Sequence, residues 1–293
     1  MCGAIYSVFI TAVKFSFSSM RIARHFHFSV LDSTNSYLLR ELEAARTASE
    51  PFALPTLVTA DIQTAGRGQK ERIWHSPEGC LKFTLAFRPD ERGITLERTP
   101  LLGFASALAI CRTAERHLKK AGITQTFAIH WPNDIYWKSF DGKNEEHFRK
   151  FAGILLEGHS SGVMLAGIGI NLLNSFRDAP DNLREILISM KDLIPDWQER
   201  ATPRIPSAIK NYESRPVMKI FLEELLEELD FQFDRLAREP LRVIQETDSR
   251  CSQKGTFVTL QTPAGPVSGF CSGLAHDGGM ILNGKVFRSG MLH

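Results

Sequence analysis

The chain has 293 residues, 43% hydrophobic and 23% charged, with a formal net charge of +2. That length and balance predict a soluble globular protein of one main domain plus a small one, and the near-neutral charge gives no footprint for nucleic acid or a membrane surface. The five cysteines, Cys2, Cys80, Cys111, Cys251 and Cys271, are scattered and form no C-x-x-C pair. This argues against a disulfide framework or zinc site and for a reducing compartment, with Cys80 and Cys111 as buried small hydrophobes. No apolar run reaches the roughly 20 residues of a membrane span.

Up to Asp32 there is no acidic residue, while Lys14, Arg21 and Arg24 are basic and Ser and Phe recur. Such a start fits either a mitochondrial presequence or an extension ahead of an internal Met20. Residues 1–24 are therefore set apart as an extension, with a cytoplasmic location expected and a mitochondrial one as the alternative. His25 to Val30 alternates polar and apolar, the period of a half-buried strand. Asp32 or Ser33 can cap a helix whose apolar positions are Tyr37, Leu38, Leu42 and Ala45.

Strands are expected at Leu57 to Ala60 and Leu81 to Phe87. Pro100 opens a helix with a stripe of Leu101, Phe104, Leu108 and Cys111; Lys119 and Lys120 suit its C-terminus and Gly122 stops it. Phe127 to His130 reads as a short strand, and the polar segment Lys138 to Arg149 as a long exposed connection. Phe151 to Glu157 and Met164 to Asn171 form a hairpin around Ser160-Ser161-Gly162. Arg177 to Ser214 is irregular and proline-bearing. Val217 to Arg238 is an amphipathic helix burying Phe221, Leu222, Leu225, Leu229 and Phe233, followed by Pro240. From Cys251 onward, short strands alternate with Pro263-Ala264-Gly265, Asp277-Gly278-Gly279 and Asn283-Gly284 turns, the pattern of a small barrel of SH3-like size.

Chemistry concentrates in Gln63-Thr64-Ala65-Gly66-Arg67-Gly68-Gln69-Lys70-Glu71-Arg72-Ile73-Trp74-His75-Ser76-Pro77, a loop suited to wrapping an anion. Gly66 and Gly68 let backbone amides approach a ligand, and Arg67 offers a planar charged fork for carboxylate or phosphate. Alone, such a loop is more often just a solvated turn. Three further stretches stand at ordered distances: Ser33-Thr34-Asn35 upstream, Trp131-Pro132-Asn133-Asp134, and Lys150-Phe151-Ala152-Gly153-Ile154-Leu155 followed by Gly167-Ile168-Gly169-Ile170-Asn171.

That ordered set, followed by a small barrel, resembles the biotin protein ligase (holocarboxylase synthetase) family from about Phe28 to the C-terminus, with Arg177 to Ser214 matching poorly. The resemblance implies an α/β fold of the class II synthetase-like type, a mixed central sheet flanked by helices, in a catalytic domain at 25–250. An SH3-like β-barrel would follow at 251–293. It implies an ATP-dependent ligase that forms biotinyl-5′-adenylate and transfers biotin to one lysine in the acceptor domain of a carboxylase, with Mg²⁺ as cofactor. Arg67 and Lys150 would be catalytic, neutralising the biotin carboxylate and the α-phosphate. The biotin pocket would comprise Ser33, Thr34, Asn35, Gln63, Gly66, Arg67, Gly68, Gln69, Lys150, Gly153, Leu155 and Gly169. The ATP side would comprise Arg67, His130, Trp131, Asn133, Asp134 and Asn171, with Asp134 holding Mg²⁺. Gly167 and Gly169 would let a ligand lie against their strand. Relatives that double as repressors carry an N-terminal DNA-binding domain, for which the stretch before Ser33 is too short, so a monofunctional form is expected.

Three positions depart from the family pattern. His130 stands where Lys is usual; if its imidazole carries charge for ATP, with an ordinary pKa of ~6.5, ATP affinity should weaken above neutral pH. Gln69 replaces a common second Arg, and Glu71 a common Gly. The rivals are a lipoate or octanoate transferase of the same superfamily, against which the polar Ser33-Thr34-Asn35 and Gln63 argue, and a non-catalytic SH3-like peptide-binding protein. The second is disfavoured because Phe257, Phe270 and Phe287 alternate like core residues, not like the clustered exposed aromatics of such modules. A dinucleotide fold fails because Glu71 breaks the G-x-G-x-x-G spacing and no helix follows at once.

Overall fold

Alternation of β-branched and aromatic residues sets up the strands, and the computed structural model describes residues 8–9, 20–69, 72–140, 146–174, 176, 183, 186–197 and 216–292. The strands are β1 (Val8–Phe9), β2 (Arg24–Leu31), β3 (Thr56–Gln63), β4 (Cys80–Phe87), β5 (Phe127–His130), β6 (Asp134–Phe140), β7 (Glu146–Gly158) and β8 (Met164–Asn171). They form one eight-stranded sheet in the order β1-β2-β3-β4-β8-β7-β6-β5. Only β2 and β3 run parallel, joined by helix α1 (Thr34–Ala48); every other neighbouring pair is antiparallel. A mixed sheet flanked by helices is thus the observed architecture.

Ser33 supplies the N-cap of α1, its hydroxyl accepting from Ser36 N–H, and the helix ends at Ser49 in the left-handed region (φ 56°). Leu38 and Leu42 pack with Phe28, Val58 and Ala60 in a small core on this face. The opposite face carries the main core, built on α2 (Leu102–Lys120), α4 (Pro216–Arg238) and α5 (Pro240–Ser249); a single capped turn, α3 (Met190–Leu193), precedes α4. The expected residues Phe221, Leu222, Leu225, Leu229 and Phe233 of α4 all lie in this core.

Four expectations change. The helix at Pro100 begins as a 3₁₀ turn, Leu96–Leu101, because proline cannot donate the next helical hydrogen bond. Its buried surface is no stripe: every residue from Leu102 to Cys111 is buried, since sheet and α4 cover it from both sides. Lys138 to Arg149 is no exposed connection either. β6 runs to Phe140 and β7 starts at Glu146, paired in register as a long hairpin, with 141–145 outside the described residues. Here ring contacts of Lys138, with Phe140 on its own strand and with Phe148 across the pair, compensate for polar composition. Finally, Pro240 follows the end of α4 as expected but is also the N1 residue of α5, a helix the sequence reading did not include; its fixed φ suits that place.

The C-terminal strands β9 (Phe257–Thr262), β10 (Gly265–Leu274), β11 (Met280–Leu282), β12 (Lys285–Phe287) and β13 (Met291–Leu292) form a five-stranded antiparallel sheet, compatible with an SH3-like barrel. Its core is Leu260, Cys271, Met280 and Leu282. Phe257 and Phe270 are not core residues: they are 72% and 51% exposed and face each other across β9 and β10. This sheet is tied to the larger one at Cys251, whose neighbour Ser252 donates its N–H to Ile129 O (3.0 Å), and by Trp131 Nε1 donating to Gly278 O (3.0 Å). Cys80, Cys111, Cys251 and Cys271 are free and buried, as small hydrophobes. Among the described residues no helix is long and apolar enough to cross a membrane.

Candidate active site

On the α1 face of the sheet lies a cavity of about 280 Å³, lined by the motifs that the sequence had set apart. The floor is β7 and β8, where Gly153 pairs with Gly169 and Leu155 with Gly167. The roof is formed by residues 64–69 and 72–76, which fold back on one another through Gly68 N–H to Arg72 O (2.7 Å) and Trp74 N–H to Gly66 O (2.9 Å). Gly66 is required there: a Cβ would stand 2.6 Å from Trp74 O.

One end is a closed web of neutral dipoles with the Glu157 carboxylate at its edge. Gln63 Oε1 accepts from Thr34 N–H (2.8 Å) and the Thr34 hydroxyl (3.1 Å), and Gln63 Nε2 donates to Ser76 Oγ (3.2 Å). The Thr84 hydroxyl lies 2.8 Å from Thr34 Oγ1 and 2.5 Å from Asn35 Oδ1, its proton shared between them. Asn35 Nδ2 donates to Glu157 Oε2 (2.8 Å). Thr84 and Glu157 were absent from the sequence reading. Thr84 could have been found from strand period, since it sits on the same β4 face as Lys82, which also lines the cavity with its ammonium on Asp61 O (2.5 Å) and Pro77 O (3.1 Å).

The other end is charged. Lys150 Nζ donates to Asp134 Oδ2 at 2.5 Å and stands 5.3 Å from the Trp74 ring centre. Arg67 donates to Glu157 Oε1 at 2.5 Å and to Ser36 Oγ at 3.2 Å. Asn171, 1% exposed, donates to Lys150 O (3.3 Å) and accepts from Asn174 Nδ2 (3.2 Å). Tyr136 lines this end, its phenol pushed up to about 12 by burial and then by Asp134. Ile186 and Leu187 close the side, with Lys150 N–H donating to Ile186 O.

Not every expected residue faces this space in the way anticipated. Ser33, Thr34, Asn35, Gln63, Arg67, Gly68, Gln69, Asn133, Asp134, Lys150, Gly153, Leu155, Gly169 and Asn171 line it. Gly66, His130 and Trp131 do not. His130 Nδ1 lies 3.1 Å from Ser252 Oγ, its ring against Tyr136, and Trp131 is buried at the junction with the C-terminal sheet. Burial lowers the His130 pKa, with Asp134 opposing and Lys150 reinforcing the shift. Asn133 spends its amide on Ile154 O (2.5 Å), a backbone role. The space above the glycines is already furnished: a Cβ on Gly169 would meet the Trp74 ring at 2.5 Å and one on Gly167 the Asn35 amide at 2.1 Å. Trp74 lies in the loop that the sequence singles out but is given no role there, because a tryptophan in an irregular loop carries no period to point its ring at a site. Lys70 and Glu71 lie outside the described residues.

Asp134 is the one carboxylate among the described lining residues, and no group of three or more His, Cys, Asp or Glu that could hold a metal is found among the described residues. One carboxylate suits Mg²⁺ that arrives on nucleotide phosphates, not a resident protein cage.

The sequence profile of the Biotin/lipoate A/B protein ligase family matches residues 26–174, half of the chain. "Bifunctional ligase/repressor BirA" of Bacillus subtilis is 38% identical over 151 residues, 50% of this chain and 41% of that protein. "Biotin--protein ligase" of Schizosaccharomyces pombe is 28% identical over 190 residues, 62% of this chain and 26% of that one. The chain thus spans less than half the length of these relatives. Among solved structures, the biotin protein ligase from Aquifex aeolicus in complex with biotin and ATP superposes with a TM-score of 0.67 at 22% identity, over 92% of this chain and 97% of that one. The family match covers all five motifs. The chain belongs to the Biotin/lipoate A/B protein ligase family.

Proposed function

We propose that this protein activates biotin with ATP and transfers it to a lysine in the acceptor domain of a biotin-dependent carboxylase. One observation carries the reading: a single cavity joins a web of neutral hydrogen-bonding groups, suited to a ureido ring, to an end bearing Arg67, Lys150 and Asp134. The two levels of the floor, Leu155/Gly167 and Gly153/Gly169, are two residues apart along the strands, about 7 Å. That spacing suits a ring and a carboxylate on one short chain.

In the first step a carboxylate oxygen attacks the α-phosphorus of ATP and the bond to pyrophosphate breaks. Both reactants are anions, so the work of this chain is to hold fixed positive charge where they meet. Arg67 and Lys150 supply it, and Asp134 keeps Lys150 aimed at the reacting end. Asp134 would hold Mg²⁺ that comes with the nucleotide, which when bound would supply further neutralisation of the phosphates. The roof loop with Trp74 excludes water from the mixed anhydride, and the Trp74 face is an apolar platform for a purine. In the second step an acceptor amine attacks the acyl carbon and AMP leaves. The buried free thiols fit a reducing compartment, and the cytoplasm is the location proposed.

The test is to incubate the protein with ATP and biotin and seek bound biotinyl-adenylate by mass spectrometry, alongside biotin-dependent exchange of labelled pyrophosphate into ATP. Both are expected. Exchange supported by lipoate or octanoate instead of biotin would move the chain to the lipoate branch of its family, and no exchange with any of the three would remove the activity altogether.

A further inference from the structure

Glu157 belongs to none of the motifs that mark the family in this sequence, yet it touches two of them. Its Oε1 accepts from Arg67 Nη2 at 2.5 Å and its Oε2 from Asn35 Nδ2 at 2.8 Å. Followed onward, these bonds make a continuous line: Arg67 to Glu157, Asn35, Thr84, Thr34, Gln63 and Ser76. Arg67 and Ser76 are the two flanks of the same roof loop. The line therefore passes beneath the ring end of the cavity and returns to the loop it left, and Glu157 is the link that closes it.

We infer that Glu157 is a positioning residue, which fixes the Arg67 guanidinium and couples the order of the roof loop to the ring end of the cavity. This rests on the function proposed above. Two physical points separate positioning from simple blockage of Arg67. A guanidinium carries five N–H donors, and Arg67 uses one on Glu157 and one on Ser36, so it keeps donors for a substrate anion without letting go. The Glu157 side chain is 20% exposed and that of Arg67 41%, so the pair contributes little to overall stability while still choosing where the guanidinium sits. A loop held before the ligand arrives spares the reaction the entropy of ordering it.

Glu157→Gln tests this, because an amide can offer an acceptor to Arg67 or to Asn35 but turns an N–H against the other. Its rate of adenylate formation in a single turnover should fall roughly tenfold or more, with faster loss of bound adenylate and an unchanged thermal midpoint. Amide hydrogen exchange over 64–69, read without ligand, should quicken. In an Arg67→Ala background the same change should cost nothing more, and Glu157→Asp should recover part of the rate. An active wild type with equal rates in wild type and Glu157→Gln overturns the inference, as does an undiminished cost in the Arg67→Ala background. A wild type inactive with biotin would sink the proposed function instead. Loop exchange then decides Glu157 alone: quickened in the variant it supports the latch, unchanged it overturns it.

Discussion

The two ends of the cavity are built on opposite principles. At the ring end Thr34, Asn35 and Thr84 are each less than 5% exposed, and their polar atoms satisfy one another and Gln63. At the charged end, the side chains of Lys150 and Asp134 keep 19% and 13% of their exposure and Arg67 keeps 41%, and each cation already holds a carboxylate. Fixed dipoles suit recognition of one neutral ring, because a ligand that cannot match them leaves buried groups unpaired. Paired charges suit a reaction between anions, because the cations are aimed in advance without accumulating repulsion among themselves.

The sharpest way to break this contrast is Lys150→Met. The variant removes one cation and leaves Asp134 uncompensated where phosphates must come, so pyrophosphate exchange should fall by a factor on the order of 10²–10³, with biotin binding largely kept. A variant within tenfold of wild type would mean that the reacting charge lies elsewhere. Next in size is an effect at neither end. His25, buried and bonded through Nε2 to Thr59 Oγ1 (2.9 Å), has its pKa lowered from 6.5 to about 4 by burial, then by His27 and Lys219. Between these values the unfolded chain binds a proton that the folded one refuses. Stability from this group is therefore complete above pH ~6.5 and is lost as pH falls toward 4, by about 3 kcal/mol in all. Thermal unfolding of wild type and His25→Gln across that window should show a steeper decline in the wild type; parallel curves would contradict it.

Legibility in the sequence followed the same division. The motifs of the ring end were readable because Ser33-Thr34-Asn35 and Gln63 are local, each at the start of a helix or the end of a strand, and the order of motifs placed them in one site. What was missed was joined only by folding. Glu157 lies ninety positions from Arg67 and meets it only by folding, although strand period sets it on the same β7 face as Gly153 and Leu155. Trp74 sits in a loop with no period, and the glycine floor, read as empty, is where it and Asn35 rest. The helices and strands of the large sheet followed from periodicity, save where polar composition hid the β6–β7 hairpin. The small sheet misled most. With so few strands its interior is filled by Leu260, Cys271, Met280 and Leu282, and the larger Phe257 and Phe270 are left outside.

Two smaller effects sharpen the contrast from each side. Thr34→Val deletes the hydroxyl between Gln63 and Thr84 and should raise the KM for biotin roughly tenfold with kcat held, the mark of binding shared by ground and transition states. A fall in kcat instead would place this end in the chemistry. At the charged end the smallest effect is an expected absence of change. The usual Lys is His130 here, and a protonated imidazole would make ATP affinity decline above neutral pH. Burial lowers its pKa, Ser252 and Tyr136 hold the ring, and it does not line the cavity, so it is neutral throughout that range. The KM for ATP in wild type and His130→Lys should then run parallel from pH 7 to pH 9. A decline in the wild type that the lysine flattens would put a charged His130 among the groups that meet the phosphates, and the charged end would reach further than Lys150 and Arg67.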